Sequence, residues 1–326
     1  MARILVVFTG GTISMKVDPA TGGAVPALSG EEILAYDPGL RAMAELDVVD
    51  FGRYPGPHMN PARMYELSEL LRERLADPAI DGAVVTHGTD TLEETAYLVD
   101  LRHDSAKPVA FVGAMRNSSE LSFDGPANLR AGVRTVIDAG SHGRGVFVVL
   151  NQLVHAASEA TKTDTQQLDT FQSPVFGPLG YVDADGVVWA RSLSRRQVIA
   201  GERFEPAVEM LRMYAGFGSR MFDMLVEAGA KGIVVEGTGR GNVPPEALPG
   251  VRRAIEAGVA VAVSTRCHHG RVLDTYAYEG SGRDLRKLGA WFCGRLPGHK
   301  ARIKLMLALG AAGGMDAARR LMEEGA

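Results

Sequence analysis

Five consecutive residues, His87-Gly88-Thr89-Asp90-Thr91, gather two hydroxyls, a carboxylate and an imidazole directly after the apolar run at 83–86. Thr91 and Glu94 stand at the spacing of a capping box, and Leu92, Ala96 and Val99 fall on one face of the helix that would follow. Thr91 is therefore the expected N-cap, which leaves Thr89 and Asp90 outside the helix with nothing to cap. A helix N-terminus offers free N–H groups and positive potential, suited to a carboxylate or to an oxyanion growing on a carbonyl. The same segment also reads as a plain strand-to-helix turn in which Gly88 only eases the geometry. Alone it does not decide between the two.

A second segment, Gly10-Gly11-Thr12, follows the apolar run at 4–8. Paired glycines let a backbone come close to a ligand. A phosphate loop is the rival, but neither a G-x-G-x-x-G pattern nor a G-K-[ST] ending is present. Ser29 and Glu32 form the next capping-box pair, so roughly 20 residues separate the strand from its helix, against about 2–6 in an ordinary connection. Gly22 and Gly23 are possible hinges, and a long loop at a ligand edge is often a lid; a surface insertion is the plainer reading. Lys162 lies among small polar neighbours, where composition alone leaves a lysine in solvent. Cys267-His268-His269 has no second cluster at metal-site spacing and reads as loop.

These segments need a frame. Short apolar runs at 4–8, 83–86, 109–113 and 146–150 show no polar alternation, as expected of strands buried on both faces. Between them, 64–75, 92–101 and 127–139 carry apolar residues at helical spacing. The pattern predicts an α/β protein with a mainly parallel sheet flanked by helices. Ligands of such sheets bind beyond the carboxyl ends of the strands. That rule brings residues 9–14, 87–91 and 114–116 to one edge. A hairpin is expected at 180–182 and 187–190. Residues 191–205 are polar and basic and read as a linker. A second α/β pattern then begins, with strands near 208–214, 232–235 and 259–263 and helices near 245–257, 285–291 and 300–309. The expected organisation is a larger N-terminal domain over 1–190, the linker, and a smaller C-terminal α/β domain over 206–326.

Composition bounds the rest. With 46% hydrophobic and 23% charged residues, the 326-residue chain can bury real cores and is not expected to be disordered. A net charge of −4 asks for neither nucleic acid nor an anionic membrane. Two cysteines are too few for a disulfide framework and fit a reducing compartment. The first apolar run is too short for a signal peptide or a span, so a cytoplasmic location is expected.

The segments at 9–14, 87–91, 112–116 and 161–165 occur in this order, supported by Asp124-Gly125-Pro126 and Lys300-Ala301-Arg302. In that combination the chain resembles the bacterial L-asparaginase and glutaminase–asparaginase family over nearly its whole length. The resemblance implies a threonine amidohydrolase that converts L-asparagine to L-aspartate and ammonia, with some glutaminase activity and without cofactor or metal. It implies that Thr12 is the nucleophile, Thr89 the second catalytic threonine, Asp90 the partner of the substrate's ammonium and Lys162 the catalytic lysine. Gly11, Gly88 and the backbone carbonyl of Ala114 join Thr89 and Asp90 in holding substrate, with Ala114 receiving the leaving amide nitrogen. Asn242, in the Gly-rich stretch 237–242, matches the residue that reaches a neighbouring subunit's pocket, which implies a homodimer or homotetramer with sites completed across subunits.

The chain departs from the family in places. The tyrosine that assists the nucleophile in many members is matched by Ala24, and residues 9–29 contain no tyrosine. The serine that binds the substrate carboxylate is matched by Gly56. There the Gly56 N–H and the His58 side chain could contribute, while Pro57 has no N–H to give. The family's acidic partner for Asn242 falls near Gly282; Glu279 is the closest carboxylate and reads as a surface residue.

The expected chemistry is two-step acyl transfer. Thr12 attacks the amide carbon, ammonia leaves, and water hydrolyses the acyl-enzyme. Burial must outweigh the attraction of Asp90 if Lys162 is to act as a base; otherwise it orients Thr89 and stabilises charge. Thr89 positioning a water or attacking directly is the alternative route. A binding or regulatory protein with an impaired site is the rival in another functional class, and the missing tyrosine is its argument. A component of a tRNA-dependent amidotransferase carries an extra N-terminal domain, so it is the less expected relative.

Overall fold

The computed structural model describes residues 1–324. The chain divides into two compact units that meet between Arg196 and Gln197 in sequence. The first contains β1 (Arg3–Gly10), β2 (Met15–Val17), β3 (Ala24–Pro26), α1 (Gly30–Leu34), α2 (Leu40–Met43), β4 (Glu45–Tyr54), α3 (Pro61–Leu75), β5 (Gly82–Thr86), α4 (Leu92–Arg102), β6 (Val109–Val112), α5 (Gly125–Ile137), β7 (Val146–Leu150), β8 (Leu153–Ala156), β9 (Thr161–Lys162), β10 (Phe171–Gln172), β11 (Gly180–Val182) and β12 (Val187–Trp189).

An eight-stranded sheet runs β12-β11-β8-β7-β6-β5-β1-β4. The five strands from β7 to β4 are parallel, and β8, β11 and β12 extend the sheet antiparallel. Side chains alternate across this sheet. Ile4, Val6, Phe8, Val84, Ala110 and Val112 join Leu129, Val133 and Val136 of α5 in one apolar core. The intervening Leu5, Val7, Val85 and Phe111 are equally buried and point to the opposite face. Helices α3 and α4 pack together and lie against β5 and β7. Burial on both faces explains the unbroken apolar runs of β1, β5, β6 and β7.

The second unit contains β13 (Val208–Arg212), α6 (Arg220–Glu227), β14 (Gly232–Gly237), α7 (Leu248–Glu256), β15 (Ala260–Thr265), α8 (Gly282–Leu288), β16 (Trp291–Phe292), α9 (Gly298–Ala311) and α10 (Met315–Glu323). Its four strands form a parallel sheet in the order β13-β14-β15-β16. Among the described residues, no helix is long and apolar enough to cross a membrane.

Three elements differ from the sequence expectation. The long connection after β1 is not an irregular loop: β2 and β3 pair as an antiparallel hairpin before the capping box of Ser29 and Glu32 opens α1. The β4 strand has no apolar run to announce it, because its ten residues are half-buried or exposed at the sheet edge and carry Glu45, Asp47, Asp50 and Arg53. The helix expected over 285–291 stops at Leu288, where Gly289 takes a left-handed φ of 102°, and Trp291 lies in a strand.

Phe111 is fully buried in the middle of the larger sheet. Phe111→Ala should lower the unfolding free energy by about 3–5 kcal/mol, whereas Ser29→Ala, which removes only a helix cap, should lower it by about 1 kcal/mol. Urea titration of both variants beside the parent checks this; equal losses would show that the sheet core is not the main store of stability.

Candidate functional site

In the larger sheet, β1 pairs with β4 on one side and β5 on the other, and the chain then continues outward through β6 and β7. The direction of winding therefore reverses between β1 and β5. Loops leaving adjacent strands at such a switch point diverge and open a crevice beyond the strand ends. Residues 11–14 leave β1, residues 87–91 leave β5, residues 55–58 leave β4 and residues 113–116 leave β6.

Three of these loops touch backbone to backbone. A Cβ on Gly11 would stand 2.4 Å from both Cα and N of Gly88, and a Cβ on Gly88 would stand 2.6 Å from Cα and N of Gly56. Gly11 also has a φ of 81°, which L side chains rarely adopt. The parallel register of β1 with β4 shifts between Phe8 and Gly10, where the first loop begins. Gly11 N–H donates to the Tyr54 carbonyl (2.9 Å), and Thr9 Oγ1 donates to the Thr86 carbonyl (2.8 Å).

Thr12 opens the short 3-10 turn Thr12–Ser14. Ser14 ties that turn to Gly11, donating from both its hydroxyl (2.8 Å) and its N–H (3.0 Å) to the Gly11 carbonyl. On the neighbouring loop Thr89 is buried, and Asp90 is exposed. Lys162 Nζ donates to Thr89 Oγ1 (2.9 Å) and to Asp90 Oδ1 (2.8 Å). The structure thus gathers Lys162 with Thr89 and Asp90, 73 and 72 residues upstream, into one hydrogen-bonded group.

Lys162 is not the solvated lysine that its neighbours suggest. Its side chain is 16% exposed, against 58% for Asp90. It lies in β9, where its pairing partner is the buried Phe171. Its backbone N–H donates to Glu93 Oε1 (3.1 Å) in the first turn of α4. Glu93 is itself buried and escaped the sequence reading, since one of two adjacent glutamates in a helix looks ordinary.

Thr91 is the N-cap residue of α4, as its spacing suggests, but the expected capping box does not form. The Thr91 hydroxyl instead donates to the Gly56 carbonyl (2.7 Å), linking the β5 loop to the β4 loop. Gly56 is buried, while Pro57 and His58 in the same 3-10 turn are exposed. Ala114 is fully buried just after β6. In the second unit, Asn242 is 8% exposed, and its Oδ1 accepts the Gly282 N–H (3.3 Å). Thr238 and Asn242 exchange backbone hydrogen bonds, closing the Gly-rich loop. Glu279 is exposed.

His87 starts the β5 loop but points into the protein. It is 1% exposed, its Nδ1 donates to the Gly88 carbonyl (2.8 Å), and Phe111 is its aromatic neighbour. Burial lowers its pKa from 6.5 to about 4, the bond to Gly88 opposing only in part. It is therefore a neutral brace for the loop. Two hydroxyls on adjacent loops, one held by an ammonium paired with a carboxylate, suit nucleophilic acyl transfer.

Known proteins resemble the chain over nearly all of its length. Residues 3–195 match the family model "Asparaginase, N-terminal", and residues 207–322 match "Glutaminase/Asparaginase C-terminal domain". The chain is 34% identical to an L-asparaginase of Bacillus licheniformis, covering 94% of this chain and 95% of that one. It is 31% identical to one subunit of the glutamyl-tRNA(Gln) amidotransferase of Pyrococcus furiosus, covering 99% of this chain and 75% of that one. The crystal structure of a probable cytoplasmic L-asparaginase from Campylobacter jejuni superposes with a TM-score of 0.90 at 31% identity, covering 99% of both chains.

The buried imidazole makes a prediction about stability. An unfolded histidine titrates near 6.5, so between there and about 4 the unfolded chain binds a proton that native His87 refuses. His87 therefore costs no stability above pH ~7 and progressively more as pH falls through that window, to about 2–3 kcal/mol near pH 4.5. Urea unfolding of the parent and of His87→Gln at pH 7 and 4.5 should show the parent losing that much more than the variant. Parallel pH profiles would contradict a neutral native His87.

Proposed function

The chain belongs to the asparaginase family, and from that premise we propose that it is an L-asparaginase that hydrolyses the side-chain amide of L-asparagine to L-aspartate and ammonia, with some activity on L-glutamine. The observation that carries the reading is the bridge from Lys162 Nζ to both Thr89 Oγ1 and Asp90 Oδ1, on the loop packed against that of Thr12.

In the mechanism that this arrangement supports, Thr12 Oγ attacks the amide carbon. The C–N bond then breaks, the nitrogen takes up the proton that Thr12 gave up, and ammonia leaves an ester on Thr12. Water adds to the ester, restoring the threonine and releasing aspartate. Lys162 Nζ bridges Thr89 Oγ1 and Asp90 Oδ1, which orients the Thr89 hydroxyl; to serve as its base, Lys162 would accept the Thr89 proton along the same contact. The exposed Asp90 carboxylate is available to the substrate's ammonium. Close packing at Gly11, Gly56 and Gly88 brings the backbones of three loops together at the crevice, with the exposed His58 on the β4 loop.

We assign the nucleophilic role to Thr12 and the supporting roles to Thr89, Asp90 and Lys162. We further place the enzyme in the cytoplasm, in keeping with its Campylobacter jejuni neighbour, a probable cytoplasmic L-asparaginase, and assign it a homo-oligomer in which Asn242 serves a neighbouring subunit. With Oδ1 of Asn242 engaged by Gly282, its Nδ2 is the group offered for that contact.

Steady-state ammonia release from asparagine and glutamine tests the activity, and an inert, folded protein would favour the rival reading of an impaired binding member. Thr12→Val and Thr89→Val should each cost roughly 10⁴-fold in kcat with circular dichroism unchanged, because members of one nucleophilic unit act together. A loss below about tenfold in either would remove that residue from the unit. Asp90→Asn should raise KM for asparagine far more than for an analogue without the α-amino group.

Assembly makes a separate prediction. Light scattering across a dilution series should show a dimer or larger species, with specific activity falling as it dissociates and with Asn242→Ala depressing activity without dissociation. A fully active monomer would contradict the role given to Asn242.

A further inference from the structure

The Asp124-Gly125-Pro126 segment has no part in the chemistry above, yet Asp124 behaves unusually. It is the N-cap residue of α5, but its side chain does not cap that helix. An aspartate at this position normally accepts an N–H of its own first turn. Here the carboxylate turns to the β6 loop. Met115 N–H donates to Oδ1 (3.1 Å) and Oδ2 (3.0 Å), and Arg116 N–H donates to Oδ1 (2.9 Å). Asn128, one turn further along α5 and 4% exposed, braces the arrangement. Its Nδ2 donates to the Gly113 carbonyl (2.9 Å) and to Asp124 Oδ2 (3.0 Å), while its Oδ1 accepts the Asn151 N–H (2.9 Å).

Both peptide groups flanking Ala114 are thereby held, the first through the Gly113 carbonyl and the second through the Met115 N–H. A trans peptide is rigid, and its N–H and C=O point in opposite directions. Among the described residues there is no cis peptide bond. A carboxylate fixed on Met115 N–H therefore sets the direction of the Ala114 carbonyl. Its negative charge also polarises that peptide and strengthens the carbonyl as an acceptor.

We propose that Asp124, braced by Asn128, is a positioning residue that aims and polarises the Ala114 carbonyl for the N–H of the departing amide nitrogen. This rests on the amidohydrolase reading given above. As the C–N bond breaks and the nitrogen receives the proton from Thr12, the Ala114 carbonyl accepts a hydrogen bond from that nitrogen; no atom is transferred to the carbonyl or to Asp124. A substrate whose leaving group lacks N–H gains nothing from this arrangement.

The test compares L-asparagine with the β-methyl ester of L-aspartate, which forms the same acyl-enzyme but releases methanol. In Asp124→Asn, kcat/KM for asparagine should fall by about tenfold or more, the loss expected when a charge-assisted hydrogen bond is weakened, while kcat/KM for the ester should stay within about a factor of two. Equal losses on both substrates, or no loss on asparagine, would mean that Asp124 is merely structural and overturn the proposal. Should Asp124→Asn not fold, Asn128→Ala must show the same split between amide and ester, and an equal loss there overturns it too. A wild-type protein that releases no ammonia but hydrolyses the ester overturns this proposal together with the amidase reading, whereas normal wild-type activity with equal losses in the variants overturns this proposal alone.

Discussion

The site depends on how closely three backbones can approach. Gly11, Gly88 and Gly56 come from loops that leave β1, β5 and β4, and no side chain fits between them. That contact lets the loop bearing Thr12 lie directly on the loop bearing Thr89 and Asp90. With any Cβ at Gly11 or Gly88, backbone would have to move, and catalytic groups tolerate displacements of well under ~1 Å. The sheet supplies the rest of the constraint, since only adjacent strands at a switch point deliver two diverging loops to one crevice.

Electrostatics is then added from a distant part of the chain. Lys162 would be an unremarkable surface cation if its strand were free. Pairing of β9 with β10 seats Phe171 in the interior, and the buried Glu93 carboxylate takes the Lys162 N–H. The ammonium is thereby held against one buried hydroxyl and one exposed carboxylate. Partial removal from water strengthens both interactions relative to a surface pair, and the exposed side of Asp90 stays open to a second cation.

Helix caps show where stability yields to the site. Ser29 and Asn60 cap their own helices, α1 and α3, in the ordinary manner. Thr91 and Asp124 occupy the same position on α4 and α5 but give their side chains to neighbouring loops, at Gly56 and at Met115 and Arg116. Each forgoes about 1 kcal/mol of capping. Local rules broken together at one sheet edge are what a functional site is expected to produce. Neutral His87 fits this pattern, a buried polar group kept for its bond to the Gly88 carbonyl.

Much of this was legible in the residues. Apolar runs without alternation mark β1, β5, β6 and β7 because both of their faces are buried, and the glycines and threonines after them mark the ligand edge. The order of those segments identifies the family. By contrast, β4 lies at an edge with mixed polarity and leaves no periodic signal, and the β2–β3 hairpin is too short to stand out. The Thr91–Glu94 spacing places the N-cap correctly, but local sequence cannot say that the hydroxyl will find Gly56, 35 residues upstream. Nor can it say that Lys162 reaches Thr89, or that Asp124 serves the β6 loop. Residue type and spacing determine which groups are available and which strands bury both faces. Their partners are set by loop closure and packing across tens of residues, so only the tertiary structure decides them.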